Sequence, residues 1–136
     1  MAGKEEFRPL RELADGATEK LPQLNVTITL GTEATNDIDI TIQLYDWEDE
    51  VTERYLLEYW FADTVGGAVS ACSGSGSPSV GTEMEEVTNH GHYRTLTDAT
   101  GEIVHMFQQT GDATKYLHVR LPGSGQIVTQ AVVWAA

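Results

Sequence analysis

Four histidines and one run of acids are the side chains whose types and spacing invite chemistry. His90-Gly91-His92 sets two imidazoles on one side of a short strand, and His105 and His118 follow on later ones. Imidazoles gathered in this way bind zinc. These four sit on different segments, with no cysteine or carboxylate at ligand spacing beside them, so solvated or hydrogen-bonded histidines are expected. The run Asp46-Trp47-Glu48-Asp49-Glu50 offers several oxygens to calcium. It lacks the glycine that lets such a loop fold around the ion, and reads as a solvated hairpin tip. With 21 acidic residues some carboxylate pair is always available for glycoside hydrolysis, yet no pair stands out. The chain has no G-x-S-x-G elbow, no phosphate-cradling glycine loop and no basic patch with interleaved aromatics. Ser73-Gly74-Ser75-Gly76-Ser77 reads as linker, with no lysine after it. The expectation is a protein without an active site, a cofactor or a metal.

The elements that would position these side chains are strands. From Thr95 to the end, one unit recurs three times: a turn rich in Gly, Asp or Pro, then an apolar run of period-two character. Thr97-Asp98-Ala99-Thr100-Gly101 leads into Glu102–Phe107, Gln109-Thr110-Gly111-Asp112 into Thr114–Leu121, and Pro122-Gly123-Ser124-Gly125 into Gln126–Trp134. Such spacing describes consecutive antiparallel strands of a sandwich. Upstream, Leu24–Leu30 alternates cleanly, and Asp39–Tyr45 places Ile40, Ile42 and Leu44 on one face. Thr52–Phe61 is apolar on both faces, with Tyr55, Leu57, Tyr59 and Phe61 opposite Leu56, Glu58 and Trp60. Ala62–Gly81 reads as a long flexible loop, followed by short strands near Met84–Val87 and His92–Thr97. The fold expected is all-β, an Ig-like antiparallel sandwich of about seven to eight strands. Residues 23–136 form that sandwich and residues 1–22 an extended N-terminal arm. Tyr116, four residues after Asp112, has the spacing of a tyrosine that bonds back to the backbone at the corner between sheets. Trp60 is the candidate for the buried core tryptophan.

Charge narrows the partners. The net charge of −13 argues against phosphate recognition, which needs clustered Lys and Arg, so no nucleic acid is expected. The arm holds four basic and five acidic side chains, net −1, and the remainder four basic and sixteen acidic, net −12. An acidic body keeps a chain soluble and favours a basic partner. A single cysteine, Cys72, permits no internal disulfide and suits a reducing cytoplasm. Neither a signal-like apolar core nor a run approaching ~20 apolar residues occurs, so no membrane partner is expected.

The wording of the closing turns also resembles a known family. Asp98-x-x-Gly101-x-Ile103, then Thr110-Gly111 with Thr114-x-Tyr116-Leu117-x-Val119-x-Leu121-Pro122, then an apolar last strand, look like a small Ig-like β-sandwich of tailed-bacteriophage virion proteins. Ile38–Asp46 and Tyr55–Asp63 resemble its first two strands, so the likeness runs from about Ile38 to Ala136. The resemblance implies a structural virion protein, most concretely a capsid decoration or cement protein on the outer surface of the phage head. It would be made in the host cytoplasm and would bridge copies of the major capsid protein, with neighbouring copies of itself, as a trimer, beside it. Phe7, Leu10 and Leu13, with Arg8 and Arg11 between them, would be the residues that dock the arm on the capsid. The other reading is an adhesion or glycan-binding module on a head or tail fibre, with Trp47 and Tyr93 stacking on sugar rings. A small glycosidase is the third class.

Overall fold

A computed structural model describes residues 23–135. Among these residues ten strands make two antiparallel sheets packed face to face, an Ig-like β-sandwich. They are β1 (Leu24–Leu30), β2 (Asp37–Asp46), β3 (Asp49–Glu50), β4 (Leu56–Ala62), β5 (Gly74–Ser75), β6 (Thr82–Thr88), β7 (His92–Leu96), β8 (Glu102–Gln108), β9 (Ala113–Arg120) and β10 (Ile127–Trp134). One sheet has the order β1-β2-β8-β5, with β3 hairpinned onto β2, and the other β10-β9-β4-β7-β6. The docking residues Phe7, Arg8, Leu10, Arg11 and Leu13, and the whole of the arm, lie outside the described residues.

Period-two alternation sets which side chains meet between the sheets. Ile38, Ile40, Ile42 and Leu44 of β2 and Ile103 and Phe107 of β8 face Leu57, Tyr59 and Phe61 of β4, Leu117 and Val119 of β9, and Val132 and Trp134 of β10. Phe61 lies edge-on to Phe107 with ring centroids 4.7 Å apart, near the middle of this core. The tryptophan inside is Trp134, not Trp60: β4 turns its odd-numbered residues inward, which leaves Trp60 on the outer face of its sheet. Tyr116 is on that outer face too, and its hydroxyl makes no hydrogen bond among the described residues, so the expected corner does not form.

The turn before β8 shows why its residues recur. Asp98 Oδ1 accepts from the main-chain N–H of Thr100 and Glu102 at 2.8 and 2.9 Å. Gly101 then takes φ +84°, and its carbonyl accepts from the N–H of Leu44 at 2.9 Å. A Cβ on Gly101 would stand 2.4 Å from Val51 Cγ2 and 3.1 Å from the Leu44 carbonyl oxygen, so both the torsion and the close approach require glycine.

The stretch expected to be a loose loop, Ala62–Gly81, begins with the last residue of β4 and is tied down beyond it. Ser70 N bonds Phe61 O at 2.8 Å, β5 pairs with β8, and Val80 bridges to Val104. Lys115 of β9, almost wholly buried, donates to Asp63 Oδ1 and Ser70 Oγ, each at 2.9 Å. The Gly66 N–H donates to His118 Nε2 at 2.9 Å and holds this segment over the outer face of β9. A glycine- and serine-rich composition is therefore compatible with order when polar groups on the strands reach out to it.

Candidate functional site

The histidines do not converge. His90 sits in the β6–β7 turn at φ +60°, His92 on β7, His105 in the core on β8, and His118 on β9. Among the described residues no three His, Cys, Asp or Glu side chains group as metal ligands would.

Each imidazole has a structural task. His105 occupies an inward position in the apolar alternation of β8. Its Nε2–H donates to Gly76 O at 2.7 Å, which leaves Nδ1 to accept from Tyr59 Oη at 2.7 Å; Tyr59 in turn accepts from Thr95 Oγ1, also at 2.7 Å. One tautomer satisfies all these buried groups. Burial outweighs the Gly76 bond and pulls the His105 pKa down to about 4. His118 accepts at Nε2 from Gly66 and donates Nδ1–H to Tyr116 O, which fixes its tautomer. Beside it, Trp60 stacks on His118 with centroids 5.5 Å apart, under the Arg120 guanidinium at 5.2 Å. Glu58 accepts from His92 at 2.6 Å and Arg120 at 3.1 Å, so this outer face is a self-satisfied ladder.

Ser75 and His90 come within 2.9 Å of each other, the spacing of a nucleophile and its base. The remaining parts of that machinery are missing. The nearby Glu86 carboxylate accepts from Tyr93 Oη at 2.8 Å and from the His90 main-chain N–H, not from the imidazole, so nothing orients the ring as a base. Cys72 is buried, and desolvation pushes its thiol up to about 12. Among the described residues no nucleophile, base and orienting group come together as a catalytic set.

What remains is the tip of the β2–β3 hairpin. Asp46 pairs with Asp49 across a two-residue turn, Trp47-Glu48. Trp47 takes φ +61°, a left-handed value at the first central position, where two-residue hairpins favour glycine or asparagine. A bulky aromatic there carries strain on the order of 1–3 kcal/mol, which persists only where surrounding structure enforces it. The enforcement is visible: Trp47 N donates to Gln23 O at 3.0 Å, and Asp46 Oδ1 accepts from Gln23 N at 3.0 Å. The indole is nonetheless 42% exposed. It borders a cleft of about 270 Å³ lined by Asp46, Asp49, Glu50, Thr52, Glu53 and Tyr55, with buried Val51 as its floor. Tyr55 Oη donates to Glu53 at 3.0 Å; partial burial and then this bond raise the phenol above its ordinary pKa. Among the described residues no cation lines the cleft. The acidic hairpin tip was legible in the sequence, but the left-handed Trp47 was not, because nothing local in the sequence announces a strained torsion.

Tyr93, expected beside Trp47 on the surface, is only 1% exposed. It stacks on Tyr59 at 5.8 Å and meets His105 edge-on at 4.7 Å, so it belongs to the core and cannot receive a ligand.

No family model matches the chain, and no curated protein does. Among solved structures it is similar to a cohesin module from the Clostridium perfringens ATCC13124 family 33 glycoside hydrolase. The identity is 11%, over 85% of this chain and 97% of that one, with a TM-score of 0.43. The match is to a bacterial module and not to a virion protein, and the expectation of a phage capsid decoration protein is not borne out. The physical reason lies in the turns that suggested it: Asp98–Gly101 and Thr110–Asp112 satisfy backbone needs common to Ig-like sandwiches of any origin, and specify a fold rather than a place in a particle.

Proposed function

We propose that this chain is a non-catalytic adhesion module that holds a neutral or amino sugar of a surface glycan at the Trp47 hairpin. The observation that carries the reading is a half-exposed tryptophan kept in a left-handed turn at the rim of an acidic cleft. A pyranose presents a C–H face that packs on an indole, while its hydroxyls donate to carboxylates, and Asp46, Asp49, Glu50 and Glu53 supply acceptors on one side. With four carboxylates and, among the described residues, no cation lining the cleft, sialylated, uronic or sulfated sugars are repelled by about 1 kcal/mol per charge pair at contact in water. An ammonium-bearing sugar is favoured by the same arithmetic. A glycan array probed with the full chain, followed by calorimetry, tests the reading. Neutral and amino glycans bind, acidic ones do not, and Trp47→Ala lowers affinity about tenfold or more without unfolding the domain. Binding undiminished by that substitution, or no binding to any neutral or amino glycan, refutes it.

A further inference from the structure

The two ends of the five-stranded sheet are built on opposite plans. At one end β6 carries Glu83, Glu85 and Glu86 and two register irregularities against β7. Charges and bulges of this kind keep a sheet edge from pairing with other chains. At the other end β10, Ile127–Trp134, has no charged residue, no proline and an unbroken register with β9 over all eight positions. Among the described residues no strand pairs with its outer side, where the Gln130 side chain donates Nε2–H to the Ala131 carbonyl at 3.0 Å. The neighbouring edge strand β1 touches it across the seam without pairing and is also uncharged. A flank of fifteen uncharged strand residues is conspicuous on a chain of net charge −13.

We propose that β10 is a self-association edge, on which a second copy of this chain adds its own β10 antiparallel about a two-fold axis. Like-charged copies meet best where neither brings charge, and an isologous contact needs a surface complementary to itself. The side chains supply that complementarity. Ile127, Thr129, Ala131 and Val133 face outward, and Val128, Gln130, Val132 and Trp134 inward. Pairing must keep the two faces in phase. A dyad at Gln130 does so and sets Ile127 opposite Val133 of the second copy, Thr129 opposite Ala131, and Val128 opposite Val132. Ile127 and Val133 are the two β10 residues left exposed, at 44% and 56%, and this register buries each against the other. A dyad at Ala131 would run Ile127 past the end of the partner strand. The result is a ten-stranded sheet through two sandwiches, a closed pair and not the trimer.

Sedimentation velocity on the full chain, from micromolar to millimolar, tests this. The wild type forms a dimer that strengthens as salt rises from about 0.05 to 0.5 M, because screening relieves repulsion between the acidic bodies. Ile127→Lys or Val133→Glu alone weakens it about tenfold or more. The double variant restores it, because each Lys then faces a Glu of the second copy. The two sites lie far apart within one strand, so only pairing between copies in this register gives rescue. As an independent readout, Thr129→Cys and Ala131→Cys proteins form a disulfide-linked pair when mixed, and neither does so alone. A wild type that stays monomeric at the highest concentration, a trimer, single variants that associate normally, or a double variant without rescue would each overturn the proposal.

Discussion

Protonating His105 should unfasten the core, and the size of the effect follows from its surroundings. The ring is 1% exposed, between Tyr59, Tyr93 and Phe107, with its two nitrogens committed to Gly76 and Tyr59. Folded, it titrates at about 4, against an ordinary 6.5. Because the unfolded chain binds the proton more readily, the stability this residue contributes is complete above pH 6.5 and declines as pH falls toward 4. The slope is about 1.4 kcal/mol per pH unit, and the total about 3 kcal/mol, a large share of the stability of a small domain. Urea unfolding at pH 7.0 and 4.5 on the wild type and on His105→Gln measures it. Glutamine can donate to Gly76 but cannot titrate. Whatever the acidic surface does over this range is common to both proteins and cancels in their difference. The stability advantage of wild type over variant should shrink by about 2.5 kcal/mol between the two pH values. Parallel behaviour of the two proteins, or a His105 resonance titrating near 6.5, would refute the argument.

Other expectations are simpler to check. Gly101→Ala forces a methyl against Val51 and the Leu44 carbonyl at φ +84°, and should cost more than about 2 kcal/mol in denaturant unfolding, with Val51→Ala recovering part of it. Cys72 should resist a thiol reagent at pH 8 in the native protein and react stoichiometrically once the chain is unfolded, since its thiol is buried and pushed up to about 12. Trp47→Gly should abolish glycan binding yet leave the melting temperature unchanged or higher, because glycine adopts φ +61° without strain.

How legible was all this beforehand? The strands whose alternation is clean were read nearly to the residue: β1 spans Leu24–Leu30 as expected, and Ile40, Ile42 and Leu44 of β2 are all inside. The closing strands β8, β9 and β10 follow the three repeated turns. Failures came where both faces of a strand are apolar or where polarity is settled at long range. β4 offers Trp60 on one face and Tyr59 and Phe61 on the other, and only the opposing sheet decides which is core. Tyr93, expected beside Trp47 as a sugar-stacking aromatic, is inside. Its burial depends on Ser75 and Glu86 finding its hydroxyl, at 2.7 and 2.8 Å, from segments 18 and 7 residues away. The Trp47 site was half legible: the sequence shows an aromatic among acids, but its torsion and the cleft beside it arise from packing against Gln23 and Val51.

The β6 strand has a use that follows from its position. All seven of its residues are exposed, with Met84 at 60%, so it contributes main-chain bonds to β7 and little to the interior. Such a flange can peel away at small cost while the barrel of apolar side chains stays shut, and its amides should be the quickest of any strand to exchange with deuterium. For an engineer it is the natural splice point: a peptide tag or fluorophore grafted between Thr82 and Thr88 would ride outside the fold, remote from the flank on which two copies are expected to join.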